Sequence, residues 1–496
     1  MLARQVVNGV SLLLGGRIFA NALGFVSTIV VARLLVPADF GLVALATSLL
    51  AIVSSLVELP TGTALIQLKD LNDNDFDTAW TLGILKGLAV CSMMLLAAWP
   101  MAIIFNDPRL IGLIAVLATY PVILGFRNSY FERFAREMKF SREVVLDIAS
   151  KLASVIASIG IAFVLRSYWA LPAGVLFSGI VTTLVSFILM PRLPRFSLKS
   201  FRRIFNFSAW LGAASVINQL NWSSDGFVIG RMLGPATLGQ ASVGGMFVNR
   251  IDEVTRAPLF RSLFSAFSRM QDDPVRLRGA FLSAQGFVAA LLLPVGAGLS
   301  VVSAPLIRLI LGEQWGLAGT VVAFCAPVAA LTAMTSPAQP LALALGRTRT
   351  LFERDTIALI VRLPLVIGGV LIYGIIGNMI GMVIAGLVMT FVNLQLVHMI
   401  LGVSIRRQLA NVSRSLIASV AMYAALFPIV GHVTIDGDLI PRILSLGEVV
   451  ALGVVIYFVT HIGLWAISGF PAGPEKTTWT TVGKYWDAMR AKRRPA

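Results

Sequence analysis

Charged residues are scarce in this sequence, and their scarcity indicates the class of protein. They make up 13% of the 496 residues, whereas a soluble domain has about 25%. Hydrophobic residues account for 57% of the chain and the mean hydropathy is +0.85. The apolar runs are long enough to cross a bilayer, which takes about 20 residues. We therefore predict an all-α integral membrane protein.

Cysteine, histidine and catalytic motifs are also scarce or missing. Cys91 and Cys325 lie inside apolar runs, and His398, His432 and His461 are scattered along the chain. Neither residue type has the spacing of a disulfide framework or a metal site. The sequence lacks a Walker-type glycine loop, GxSxG and HExxH. The sequence thus predicts a protein that is not an enzyme and uses no metal or cofactor.

The net charge of +16 follows membrane topology, so we expect no nucleic-acid partner. Basic residues are concentrated in alternate loops, which in membrane proteins lie on the cytoplasmic side. These loops and the tail carry Arg127, Arg133, Arg136, Lys139, Arg142, Arg192, Arg195, Lys199, Arg202, Arg203, Arg256, Arg261, Arg269, Arg276, Arg278, Arg406, Arg407, Lys492, Arg493 and Arg494. We predict a multi-pass protein of the inner (cytoplasmic) membrane with both termini in the cytoplasm.

Hydropathy predicts about fourteen transmembrane helices. They run approximately 10–33, 38–60, 79–98, 109–126, 145–166, 168–190, 207–231, 235–257, 279–300, 317–345, 356–375, 378–400, 415–432 and 442–467.

An internal repeat organises these helices. The segment VARLLVPADFGLVALA at Val31–Ala46 aligns with IGRMLGPATLGQASVG at Ile229–Gly244, an offset of 198 residues. Each repeat holds six helices, so both halves enter the membrane in the same orientation. We predict two parallel six-helix lobes, 1–200 and 201–408, around a central cleft. Residues 409–496 would add two helices and a basic cytoplasmic tail.

Basic residues inside the predicted spans are the first candidates for function, because each costs about 2.5–3.5 kcal/mol on insertion scales. They are Arg17, Lys86, Lys151, Arg250 and Arg362. Each lies about seven residues, or roughly 10 Å, inside the cytoplasmic end of its helix. Facing the cleft, they would form a cationic collar for a diphosphate. Alternatively, their long side chains snorkel to the interface.

Two corresponding helices carry polar faces. The first predicted span has Arg17, Asn21, Gly24 and Thr28 on one face, and its repeat partner has Asn218, Asn221 and Asp225. These faces would form opposing cleft walls, and Asp225 would bind a coupling cation or pair with a collar base. Alternatively, they form hydrogen bonds that hold the bundle together. Asp147 and Lys151, four residues apart, are equally suited to a structural ion pair.

The turns LLVPADFG and MLGPATLG have a structural interpretation. Proline begins the following helix, and glycine allows close packing. We assign them no chemistry.

At these residues the sequence resembles the polysaccharide transporter family of the multidrug/oligosaccharidyl-lipid/polysaccharide exporter superfamily, of the Wzx-type flippase kind. The resemblance covers essentially the whole chain. The segments that carry it are GRIFANALGFVSTIVVARLLVPADFGLVALA at Gly16–Ala46, DGFVIGRMLGPATLG at Asp225–Gly239, and ILGEQW followed by ALALGR ending at Arg347.

The resemblance implies a flippase of undecaprenyl-diphosphate-linked oligosaccharide for exopolysaccharide or lipopolysaccharide O-antigen biosynthesis, with the phospholipid bilayer, a polymerase and a co-polymerase as partners. A lipid II flippase would carry arginines where Asn21 and Ser27 stand. A cation-coupled multidrug antiporter would need an acidic cleft. A membrane-embedded glycosyltransferase or polymerase would need larger periplasmic loops. A non-transporting scaffold of a synthesis complex stays open.

Overall fold

The computed structural model describes residues 2–58, 61, 65, 71–137, 139–431 and 439–470. The predicted basic tail and His432 lie outside these residues. The regular elements within these described residues are all helices. The helices are α1 (Leu2–Leu34), α2 (Pro37–Leu56), α3 (Asp73–Phe105), α4 (Arg109–Leu117), α5 (Thr119–Gly125), α6 (Glu132–Arg136), α7 (Phe140–Leu165), α8 (Ala170–Leu189), α9 (Phe201–Arg269), α10 (Pro274–Leu311), α11 (Gly316–Ala333), α12 (Ala338–Ala344), α13 (Thr348–Leu401), α14 (Ile405–Val430) and α15 (Leu439–Ile467).

The helices confirm a multi-pass, all-α membrane protein. In the part of the chain that the structure describes, ten helices are long and apolar enough to span a membrane, or eleven with the bent pair Arg109–Gly125 and Ser129–Arg136. Two very long helices are each broken once, α9 at Gly234 and α13 at Tyr373 and Gly374. Divided at these breaks, the helices overlap all fourteen predicted spans. Gly234 has a φ of +84°, which favours glycine.

Helix α3 shows how local sequence sets the ends of a span. Asn72 and Asp75 form a capping box, in which Asn72 Oδ1 accepts from the Asp75 amide (3.1 Å) and Asp75 Oδ2 accepts from the Asn72 amide (2.9 Å). The helix ends at Asn106, whose φ of 52° is left-handed and suits asparagine. Its 33 residues extend about 50 Å at 1.5 Å per residue, so α3 exceeds the hydrocarbon core of about 30 Å.

The chain forms two compact units, Met1–Ser242 and Val243–Ala496. In unit 1, α7 packs against α1 and α8, and α3 packs against α5. In unit 2, α10 packs against α11 and α14. The boundary lies within α9, and the part of α9 before Ser242 contacts α2 at Gly41, Leu45 and Ser48. The predicted lobes 1–200 and 201–408, with the addition 409–496, stay a prediction.

Candidate substrate-translocation site

The polar face of α1 divides into an exposed and a buried part. Arg17 and Asn21 are exposed, whereas Gly24 is buried and Thr28 is half-buried. The Thr28 hydroxyl donates to the Gly24 carbonyl at 3.0 Å, which satisfies that side chain within its own helix. The outer part of this face therefore presents a guanidinium and an amide, and the inner part packs against a neighbouring helix.

That neighbour is α7, which brings Lys151 to α1. The Lys151 Cε and Nζ occupy the space that a Cβ on Gly24 would take. Asn21 and Gly24 are three residues apart and share a helix face, so the ammonium lies one turn from the Asn21 position. The structure thus places two predicted collar residues, Arg17 and Lys151, along one side of α1 in unit 1, with Lys151 at the Gly24 position about two turns from Arg17.

Acidic residues on α7 accompany this basic pair. Glu143 and Asp147 lie on α7 within electrostatic range of Arg17 and Arg127. Both carboxylates are half-buried. The α1–α7 contact therefore has mixed charge, with Glu143 and Asp147 near Arg17, which lowers the cost of holding ionised groups in a membrane. The sequence suggested only an Asp147–Lys151 pair within one helix.

Lys86 has a different environment. Its Nζ lies 3.3 Å from Glu58 Oε1, just beyond the end of α2. Both side chains are partly exposed, at 27% and 35%. Lys86 therefore links α3 to the segment after α2, and part of its charge is compensated inside unit 1.

The polar face of α9 is mostly buried in unit 1. Asn218 is exposed, whereas Asn221 and Asp225 are 9% and 5% exposed. Gly226, next to Asp225, faces Ser48 of α2. In unit 2, Arg250 on α9 and Arg362 on α13 are half-buried.

A reciprocal contact joins the two repeated turns in unit 1. A Cβ built on Gly41 would overlap the Pro235 carbonyl oxygen and lie 2.9 Å from the Gly239 amide nitrogen. A Cβ built on Gly239 would overlap the Pro37 carbonyl oxygen and lie 2.8 Å from the Gly41 amide nitrogen. The matched glycines of the repeat, Gly41 and Gly239, therefore contact each other, and each also meets the proline of the other turn. The repeat alignment identified these positions as equivalent. An alignment of two segments does not show that the segments contact each other.

Unit 1 also contains a buried anchor that the sequence did not single out. The Asn128 side chain is 1% exposed; its Nδ2 donates to the carbonyls of Met190 (2.8 Å) and Arg192 (2.9 Å). Its Oδ1 accepts from the Tyr130 amide at 3.0 Å. A single asparagine in a loop carries no periodic signal, so only the coordinates identify this role.

Comparison with known proteins agrees with this architecture. Residues 30–320 match the family described as Polysaccharide biosynthesis protein. The chain is 25% identical over 399 residues to the lipopolysaccharide biosynthesis protein WzxC of Escherichia coli (strain K12), covering 78% of this chain and 80% of the relative. It is 25% identical over 312 residues to the succinoglycan biosynthesis transport protein ExoT of Rhizobium meliloti (strain 1021), covering 61% of this chain and 62% of ExoT.

Solved structures show the same fold. The lipid II flippase MurJ in an inward closed conformation superposes with a TM-score of 0.72 at 14% identity, over 92% of this chain and 99% of that one. An inward-facing multidrug resistance MATE transporter of the MOP superfamily superposes with a TM-score of 0.64 at 16% identity, over 77% and 94%. With its family match covering more than half of its length, the chain belongs to the polysaccharide biosynthesis protein family.

Proposed function

We propose that this protein is a flippase that moves undecaprenyl-diphosphate-linked oligosaccharide repeat units from the cytoplasmic to the periplasmic leaflet of the inner membrane. The product would feed exopolysaccharide or O-antigen biosynthesis, with a polymerase and a co-polymerase as partners. The family match and the names of WzxC and ExoT support this proposal. The arginine-rich loops support a topology with both termini in the cytoplasm.

The observation that carries the proposal is the basic pair on one side of α1. Arg17 is exposed, and the Lys151 ammonium lies beside the turn that holds Asn21. A diphosphate needs cations and hydrogen-bond donors to leave water, because a bare anion in hydrocarbon is very costly. Arg17, Lys151 and Asn21 supply two charges and an amide. The adjacent carboxylates would hold the bases in place until the diphosphate arrives.

The other predicted residues have secondary roles in the proposal. Lys86 would add a cation to the site in unit 1, released from Glu58 as substrate enters, and Arg250 and Arg362 would bind anionic groups of the substrate in unit 2. Asn218 would contribute a polar group, and Asn221 and Asp225 would provide a buried polar center for a coupling ion. An inside-negative potential would assist the exit of an anion by about 2.3 kcal/mol per charge per 100 mV.

A cation-coupled drug antiporter is the alternative that the charges disfavour. It needs carboxylates available to a cationic drug, yet Glu143 and Asp147 lie within the field of Arg17. Asp225 is 5% exposed. An accumulation assay with a cationic dye should show no difference between cells with and without the protein.

The test is the triple variant Arg17→Gln, Lys86→Gln and Arg362→Gln in cells that need this gene for surface polymer. We expect loss of polymer while the protein still inserts in normal amounts, because three cationic contacts with the diphosphate are removed. The matched control is Arg276→Gln, Arg347→Gln and Arg349→Gln, which removes the same charge from exposed positions. Normal polymer in the first triple variant, or equal loss in the control, would contradict the proposal.

A further inference from the structure

The connection between α8 and α9 is neither helix nor strand. We call residues 191–199, with the sequence PRLPRFSLK, the strap. Pro194 is buried and Ser197 is half-buried, whereas the residues between them are exposed. Within the strap, the Lys199 amide donates to Ser197 Oγ at 3.3 Å. Two other strap amides, those of Arg195 and Ser197, have partners outside the strap.

Those partners are side chains near the start of α3. The amide of Arg195 donates to Asp77 Oδ1 at 3.0 Å, and the amide of Ser197 donates to Thr81 Oγ1 at 3.0 Å. The amide of Ser200, just past the strap, donates to Thr78 Oγ1 at 3.2 Å. These bonds fix the strap along α3, so its outward side chains cannot turn inward.

The first strap arginine reinforces the attachment. The Arg192 guanidinium bonds to the Asp73 carboxylate and lies over the Tyr130 ring, 4.4 Å from its centroid. Arg133 bonds to the same carboxylate at 3.1 Å and also lies over the Tyr130 ring. The Arg192 guanidinium is thus bound within the protein. The exposed side chains that could bind an external partner belong to the strap residues around it.

The length of α3 places the strap at the membrane surface. The helix exceeds the hydrocarbon core by about 20 Å, so about 10 Å projects at each end into the head-group layer. The residues that hold the strap, 77–81, lie in this projecting part or at its edge. Trp80 is among them, and its ring centroid is 4.9 Å from that of Phe196. Tryptophan is typical of this interfacial layer.

The outward side chains combine apolar groups with free cations. Leu193 is 80% exposed, Phe196 73% and Leu198 51%. Arg195 and Lys199 are exposed, and neither forms a salt bridge within the described ranges of the chain. Apolar groups that enter the interface, together with cations that meet phosphate, are the two signals of binding to an anionic membrane surface.

We propose that the strap binds anionic phospholipids of the adjoining leaflet, with Leu193, Phe196 and Leu198 inserted at the interface and Arg195 and Lys199 on the head groups. Anionic lipid would be enriched by about five-fold for each basic side chain near the surface. This site is separate from the basic pair on α1 and does not depend on the proposed transport activity.

The test places a bimane fluorophore on Phe196→Cys in full-length protein with Cys91→Ser and Cys325→Ser, reconstituted into nanodiscs. Separate nanodisc samples contain brominated phosphatidylglycerol or brominated phosphatidylcholine at the same low mole fraction. Quenching of the bimane fluorescence is measured in each. We expect quenching by both lipids, and at least two-fold more by the anionic one. Arg195→Gln with Lys199→Gln should abolish that preference while leaving quenching by phosphatidylcholine unchanged.

Two matched controls accompany the test. Bimane on Ile188→Cys, 74% exposed on α8, should be quenched without the strap's preference for anionic lipid. Arg347→Gln with Arg349→Gln, which removes the same charge elsewhere, should preserve the preference at position 196. Absence of quenching at position 196, as expected for a protein-binding surface, would overturn the proposal. Equal quenching by both lipids before the charges are removed would also overturn it.

Discussion

Replacement of Gly41 by alanine tests the reciprocal contact between the repeated turns. The new Cβ would lie 2.6 Å from the Pro235 carbonyl carbon and 2.9 Å from the Gly239 amide nitrogen. An ordinary contact begins near 3.4 Å, so the two backbones must separate by at least about 0.8 Å. Backbone cannot rotate away as a side chain can. We expect a loss near the upper end of the 1–3 kcal/mol typical of overpacking, measured as a lower thermal unfolding temperature in detergent.

The matched control is Gly160→Ala in α7, where a new Cβ meets nothing within 4 Å. Because alanine favours a helix over glycine by roughly 0.5–1 kcal/mol, this variant should be unchanged or more stable. An unfolding temperature of Gly41→Ala equal to that of Gly160→Ala would refute the contact.

The reciprocal geometry makes a second, sharper prediction. Separation of the backbones by Gly41→Ala also makes room for a methyl group on Gly239, because the two glycines occupy one crossing. The variant Gly41→Ala with Gly239→Ala should therefore lose less stability than the sum of the single variants, with a coupling of roughly 0.5–3 kcal/mol for groups in contact. Additive losses would show that the two turns do not touch.

Three other variants test the site in unit 1. Gly24→Ala should fold, because only the flexible end of Lys151 must move. Polymer export should fall, because the new methyl group displaces the Lys151 ammonium. Unchanged export would contradict a role of that ammonium in transport. Exchange of the two charges, Glu58→Lys with Lys86→Glu, should restore the ion pair that either single variant breaks. The restored stability should be roughly 0.2–1 kcal/mol, as for a partly exposed pair. An unfolding temperature of the double variant no higher than those of the single variants would show that the pair contributes nothing. Asn128→Ala should destabilise by about 2–4 kcal/mol, because the buried carbonyls of Met190 and Arg192 lose their donors; an unfolding temperature equal to that of the wild type would show that these bonds contribute nothing.

The fold could be predicted from the sequence to a large extent. Apolar runs determine where helices cross a bilayer, and the observed helices overlap all fourteen predicted spans. The breaks at Gly234 and Gly374 separate α9 and α13 into two predicted spans each. The ends were less predictable, since α3 extends to Asp73 through a capping box that hydropathy does not register.

For the candidate site, the sequence predicted which residues take part but not which residues contact one another. Arg17 and Lys151 stood out because charges are expensive in a membrane, and both lie along one side of α1. Their proximity depends on how α7 packs on α1, with Gly24 leaving room for the Lys151 ammonium. The Glu58 partner of Lys86 and the contact between Gly41 and Gly239 join segments distant in the sequence. Hydropathy and spacing report on one segment at a time, so such partners emerge only in three dimensions.

We propose that Arg17 and Lys151 bind the diphosphate of a lipid-linked oligosaccharide during its passage across the membrane. The direct measurement is transbilayer movement of fluorescent undecaprenyl-diphosphate oligosaccharide in proteoliposomes. We expect wild-type protein to accelerate movement, and Arg17→Gln with Lys151→Gln to slow it by at least about ten-fold, or 1.4 kcal/mol, while Arg347→Gln with Arg349→Gln retains the wild-type rate. A double variant at the wild-type rate, or wild-type protein no faster than empty liposomes, would contradict the claim.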